Sequence, residues 1–215
     1  MKKLSQTSLV VILSILTLSS SLWAGGFDLG ADVYNRYVWR GTDFGNTPAI
    51  QPSISYSAGN FEVGAWGSWS VTGASGANEN DLYATYSLGD FSFTVTDYFF
   101  PSYNNDQFFE YGEHGSHTIE ASAGYSYQNL SVLAAMNVLG NDTDNSKYIE
   151  ASYGFYEKND LSSSFFIGAG DGMYNTNGDF AAVSVGLTVS KGKYSASYIV
   201  NPDQETSFLT FGISL

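Results

Sequence analysis

The chain has 215 residues, with 8 Lys+Arg against 21 Asp+Glu, a formal charge of −13, no cysteine, 23 glycines and 16% aromatic residues. Such a polyanion lacks the basic footprint that non-specific nucleic-acid binding needs, and without cysteine it has neither a disulfide framework nor a thiolate metal site. Charged residues make up 13%, half of the roughly 25% usual in a soluble domain.

Residues 1–24 read as a secretory signal. Lys2 and Lys3 form its positive end, Ser8 to Leu18 (SLVVILSILTL) an apolar run too short to cross a bilayer as a helix, and SSLWA a cleavage point after Ala24. The exported chain from Gly25 then keeps 191 residues and six basic against 21 acidic groups, a charge of −15. That is one domain's worth of chain. No later stretch holds 18 consecutive apolar residues, so no transmembrane helix is expected.

Beyond the signal, hydrophobicity alternates with period two. In chain order the alternating stretches are 27–40, 49–57, 61–71, 81–88, 91–100, 117–127, 130–139, 147–156, 161–169, 180–189, 194–201 and 207–215. Each is about the length of a tilted membrane strand, roughly 9–11 residues. The gaps alternate too. Long ones (41–48, 72–80, 101–116, 140–146, 170–179, 202–206) take turns with short ones at 58–60, 89–90, 128–129, 157–160 and 191–192. Tight turns at one end and long loops at the other predict an all-β fold. Its form is a transmembrane antiparallel up-and-down β-barrel of about 12 strands, with periplasmic termini, in a Gram-negative-type outer membrane.

The two faces of each stretch differ. In 61–71, Phe61, Val63, Ala65, Trp69 and Val71 share one face, with Glu62, Gly64, Trp66, Ser68 and Ser70 behind. Asp28, Asp32, Arg36, Arg40, Glu62, Asp81, Glu120 and Glu150 all lie on the polar parity, and only Asp97 on the apolar one. A lipid-facing wall selects this, because Arg or Lys there costs roughly 2–4 kcal/mol at mid-bilayer. Asp97 is expected at a bulge or in the headgroup zone. Pro52, which cannot donate to a ladder, marks a bulge or the point where pairing begins.

Apolar-parity aromatics gather at strand ends. Tyr37, Trp39, Trp69 and Phe99 lie near the long loops, and Phe27, Tyr56, Phe61, Tyr86, Phe91, Tyr125, Phe155 and Tyr194 near the short turns. Such girdles mark two membrane interfaces. On this reading Tyr37 and Trp39 face lipid while Arg36 and Arg40 point inward.

The same region carries a signature. In RYVWRGTDFGNTPAIQPSISYS…GNFEVGAWGSW, from Arg36 to Trp69, the groups Val38-Trp39-Arg40-Gly41, Pro48-Ala49-Ile50-Gln51 and Gly64-Ala65-Trp66-Gly67-Ser68 stand out. They resemble the opening of the TorF-like porin family of bacterial outer-membrane β-barrel proteins, over about the first three strands. The resemblance implies an outer-membrane barrel with a porin role. Leu209, Phe211, Ile213 and Leu215 alternate as the closing strand of such barrels does, with Leu215 where an aromatic is usual.

The expected pore lining is Asp32, Arg36, Arg40, Glu62, Trp66, Glu120 and Glu150. Tyr34, Tyr83, Tyr98, Tyr148, Tyr156 and Phe166 also read as inward. Twelve strands fall between eight, whose interior fills, and sixteen, which leave an aqueous channel. A narrow wet pore and a plugged barrel both fit. Arg36 and Arg40 belong either to an internal salt-bridge network or to one wall of a constriction with Glu62 opposite.

The expected work is passive diffusion of small hydrophilic solutes, with outer-membrane lipids and lipopolysaccharide as surroundings and no nucleic-acid partner. The long loops hold Asp43, Glu79, Asp106, Glu110, Glu113, Asp142, Asp144, Asp171, Asp179, Asp203 and Glu205 but no Lys or Arg. Such a mouth favours cations weakly, or binds divalent ions that bridge lipopolysaccharide phosphates. An alternative is a non-conducting adhesion barrel acting through 101–116. A third reading, an outer-membrane hydrolase, would draw on Glu110, Glu113, His114, Ser116 and His117 in EYGEHGSH. Nearness along a loop does not make a triad, so no enzyme, cofactor or metal site is expected. The acidic loops also lack the ligand spacing of a calcium hand.

Overall fold

The computed structural model describes residues 25–73, 78–101 and 107–215; the signal assigned to 1–24 lies outside the described residues. Among the described residues fourteen strands follow one another: β1 (Gly26–Tyr34), β2 (Val38–Trp39), β3 (Thr42–Asp43), β4 (Ala49–Ala58), β5 (Phe61–Ser70), β6 (Glu79–Leu88), β7 (Phe91–Phe99), β8 (His117–Tyr127), β9 (Leu130–Gly140), β10 (Lys147–Lys158), β11 (Leu161–Gly170), β12 (Ala181–Lys191), β13 (Tyr194–Asn201) and β14 (Thr206–Ser214). Twelve of them close an antiparallel up-and-down barrel in which each strand pairs with its neighbour in sequence and β1 also meets β14. The other two, β2 and β3, form a small separate hairpin within the first long connection.

Alternation sorts the faces. In β6 the outward Leu82 and Leu88 are exposed, while Asp81, Thr85 and Ser87 are buried toward the lumen. At the short turn after β10, Asn159 and Asp160 take φ of 51° and 60°. Two successive positive values are what a two-residue hairpin of matching twist requires, and Asn and Asp tolerate them.

Bulges change three registers. On β10, Phe155 is the extra residue between Gly154 and Tyr156, so Tyr156 falls opposite Ser163 and turns outward, 45% exposed, instead of lining the lumen. On β12, Val183 is skipped between Ala182 and Ser184 and is fully buried, although simple alternation places it on the lipid-side face. On β9 the extra residue is Val138. Pro52 makes no bulge: the β4–β5 ladder passes from Ile50–Trp69 to Ser53–Trp66 in one register, and Pro52 lies opposite Ala31 of β1.

The seam is the shortest ladder of the barrel. β1 and β14 match only at Asp32–Ser214, Val33–Ile213 and Tyr34–Gly212, because the first strand ends at Tyr34 rather than running to Arg40. Asn35 fixes the departure. Its side chain donates to the Leu209 carbonyl (3.1 Å) and accepts from the Phe211 N–H (2.7 Å), taking the place of a further strand residue.

Candidate functional site

After Asn35 the chain turns into the barrel. Arg40 and Gly41, at φ 48° and 80°, link β2 to β3. Both angles are positive, as a tight hairpin of this hand needs. Gly41 has a second constraint, since a Cβ there would lie 1.9 Å from the Val183 carbonyl oxygen. Asn201 Nδ2 donates to the Gly41 carbonyl at 3.2 Å, which presses the hairpin tip against β12 and β13.

Arg40 is the centre of the arrangement. Its guanidinium donates to both carboxylate oxygens of Glu120, at 2.5 and 3.0 Å, and to the Tyr174 hydroxyl at 2.6 Å. It also lies 4.3 to 5.0 Å from the ring centroids of Tyr148, Trp39 and Tyr174, where the negative ring faces attract a cation. Glu120 further accepts from the Tyr98 hydroxyl at 3.1 Å. The pair is bidentate and charge-assisted, the strong form of this contact. Burial is the main influence on the Tyr174 phenol and pushes its pKa up to about 12, against the opposing pull of Arg40. The phenol therefore keeps its proton and donates it to Glu120 at 3.3 Å.

Two aromatic residues complete the plug. Trp39 packs on Tyr98 and Tyr174, with ring centroids 5.3 and 5.8 Å away. Tyr37 donates to Glu79 at 2.7 Å and lies 5.6 Å from the Trp66 ring. Around them Leu133, Ala135, Tyr148, Tyr174 and Val183 form a buried cluster with Trp39 against it. The hairpin thus fills the long-loop half of the bore. Tyr37 and Trp39 do not face lipid: Tyr37 is 4% exposed and both rings contact lumenal residues. Residues 36–40 alternate just as a wall strand would, and only the Arg-Gly turn distinguishes them from one.

The other expected lining residues are spread along the barrel. Arg36 stays at the rim, bound to Asp43 (2.7 Å) and Asn46 (2.6 Å) and lying over the Phe208 ring. Glu62 accepts from Ser57 and Tyr83 next to the β4–β5 turn, in the opposite half from Arg40. An Arg36/Arg40 wall facing Glu62 is therefore not formed; the counter-charge of Arg40 is Glu120. Trp66 reaches the plug through Tyr37, Glu150 accepts from Tyr148 at 2.5 Å, and Asp32 lies at the seam between Gln51 and Ser214. Toward the short turns the inward Ser55, Ser92, Thr94, Ser131, Ser152 and Ser164 are half-exposed, forming a hydroxyl-lined vestibule.

On the outside, Asp97 sits in an unbroken stretch of β7, with no bulge. His117 Nδ1 lies 2.7 Å from it and the Tyr111 hydroxyl donates to it at 3.1 Å. His117 Nε2 lies 2.6 Å from the Phe108 carbonyl oxygen, and its ring stacks on Phe99 and Tyr111. Residues 107–116 thereby fold back across the wall. Both ring nitrogens of His117 are engaged, by Asp97 and the Phe108 carbonyl, and His114 lies exposed beside Glu113. Among the described residues no three His, Asp or Glu side chains converge as a metal set.

Of the acids assigned to the long loops, Glu79 is instead the first residue of β6 and 1% exposed, and Asp106 lies outside the described residues. Asp43 and Asp171 are paired with Arg36 and Lys147. Of the side chains that surround the Arg40 guanidinium, Tyr174 is the one the sequence does not single out. Its only signal was a lone aromatic in a loop of Gly, Asn and Asp.

Fold and site define a twelve-stranded β-barrel with a lumenal plug, consistent with an outer-membrane channel or binding barrel. Residues 23–213 match the family described as "Bacterial protein of unknown function (Gcw_chp)", and the chain belongs to that family. No curated protein matches it.

Proposed function

We propose that this protein is a gated porin of the outer membrane. It is exported by its signal segment, has periplasmic termini, and passes small hydrophilic solutes when the β2–β3 hairpin moves. The supporting observation is an inverted polarity. Phe61, Leu82, Phe93, Leu187 and Phe211 are exposed on the outer wall, while hydroxyls, tyrosines and ion pairs fill the inside. An apolar surface of this extent needs a membrane or a partner to cover it. The resemblance to TorF-like porins points the same way. Solute entry is expected to favour cations weakly, since Glu110, Glu113, Asp144 and Glu205 stand exposed at the long-loop end. The protein is read as a non-enzyme, with membrane lipid and lipopolysaccharide around it.

Single-channel recording on refolded protein tests this. Rare small openings are expected from the wild type, and frequent ones from a variant whose hairpin is shortened. Silence from both would favour the second reading, a surface-binding barrel, which the filled bore and the folded-back 107–116 segment also suit. Anion preference in a salt-gradient reversal potential would remove the cation reading alone.

A further inference from the structure

Below the rim of the plug the lumen wall carries two acids with no matching cation. Glu79 and Asp81 are neighbours on the inward face of β6, 1% and 2% exposed. Both oxygens of Asp81 and Oε1 of Glu79 are buried without a hydrogen-bond partner among the described residues. Asp81 lies against the Glu79 carboxyl and near the Phe99 amide, and two ionised carboxylates have no proton to share. Glu79 Oε2 alone is served, by the Tyr37 hydroxyl. Arg40, the cation of this level, is taken on both of its arms by Glu120.

Bare buried carboxylate oxygens are costly and demand a counter-charge. A proton shared between the two acids would occupy one oxygen as donor and one as acceptor, leaving the third orphaned and a negative charge in place. A hard divalent cation answers all three. We infer that Glu79 and Asp81, with the Tyr37 hydroxyl beside them, form a calcium-type cation site that ties the plug to the barrel wall. All donors are oxygens, as calcium prefers. An affinity on the order of 10⁻⁴–10⁻³ M, the range of extracellular calcium modules, is expected. Calcium bound here neutralises Glu79 while Tyr37 still donates to it, so wall and hairpin are held through one carboxylate.

The site has a built-in reporter. Trp66 is the cross-strand partner of Asp81, and its ring lies 5.6 Å from that of Tyr37. Terbium(III) added to the refolded full-length exported chain in detergent should therefore emit on excitation of these rings, and calcium should displace it. Asp81→Asn and Glu79→Gln should each weaken terbium binding at least tenfold, and Trp66→Phe should dim the emission while leaving calcium protection against heat intact. Circular dichroism and heat-modifiable gel mobility check that each variant folds. If one acid variant fails to fold, the other and the Trp66→Phe comparison decide. Absence of sensitised emission, or emission unchanged by both acid substitutions, overturns the site in favour of a shared proton. These readouts need no current, so a silent barrel can still bind calcium and a conducting one can fail to.

Discussion

Arg40 and Glu120, 80 positions apart in sequence, meet in the lumen through contacts of 2.5 and 3.0 Å, with 8% and 2% of their surfaces exposed. One comes from the hairpin and the other from β8, so the pair couples plug to wall. Removing one partner of a buried pair leaves the other charge uncompensated and costs about 3–5 kcal/mol. Here the plug has a way out, since Arg40 regains water if the hairpin leaves the bore. Glu120→Gln should raise the open probability severalfold, and a double Arg40→Gln/Glu120→Gln variant should melt above the single one. A Glu120→Gln channel with wild-type currents and an unchanged urea midpoint would show that the pair does not hold the plug.

Gly41 holds the hairpin by shape rather than charge. Its φ of 80° strains any side chain, and an added Cβ would meet the Val183 carbonyl oxygen. Strain and overpacking each cost about 1–3 kcal/mol, and the hairpin tip can relieve both by withdrawing. Gly41→Ala should increase channel opening and expose Trp39 to acrylamide, measured with Trp69, already exposed on the wall, replaced by Phe. Gly192, also at positive φ but with open space around its Cβ position, is the control; Gly192→Ala should leave both readouts unchanged.

The barrel itself was legible because outward- and inward-facing residues alternate along most of each strand and the two kinds of connection differ in length. Glu62, Trp66, Glu120 and Glu150 face inward as their parity requires. The hairpin was not legible, because Tyr37-Val38-Trp39-Arg40 alternates identically whether it forms wall or plug. What decides is a positive φ at Arg40 and the fit of Gly41 against β12, neither of which hydrophobic period encodes. Bulges hid Tyr156 and Val183 for a related reason, since one extra residue reverses every later face. Asp97 looked like an error of parity and is instead paired by His117, twenty positions away.

Tyr174 makes the plug sensitive to alkali. Its phenol titrates near 12 in the folded protein, chiefly through burial, against an ordinary value of 10.0. Because the folded value is the higher one, the unfolded chain gives up this proton first. The stabilisation is whole below pH 10 and disappears as pH climbs toward 12. A shift of this size corresponds to roughly 3 kcal/mol. The stability difference between wild type and Tyr174→Phe, read from urea midpoints, should therefore fall by about that amount across the window. A difference that stays flat with pH would mean the phenol is not buried against Arg40.

His117 predicts how the outer segment is fastened. Asp97 and the Phe108 carbonyl face the two ring nitrogens, at 2.7 and 2.6 Å. Phenylalanine at 117 would keep the stacking on Phe99 and Tyr111 but lose both polar contacts, at about 1.5–3 kcal/mol for a bond to a charged group. The loss falls on residues 107–116 and not on the lumen, where Arg40 and Glu120 are untouched. This segment carries Glu110 and Glu113 but no Lys or Arg, so a glutamate-specific protease reads its release and trypsin does not. His117→Phe should be cut there at least tenfold faster than wild type while single-channel currents stay the same. Equal cutting rates would show that the segment is held by its apolar contacts alone, and altered currents would tie it to the gate.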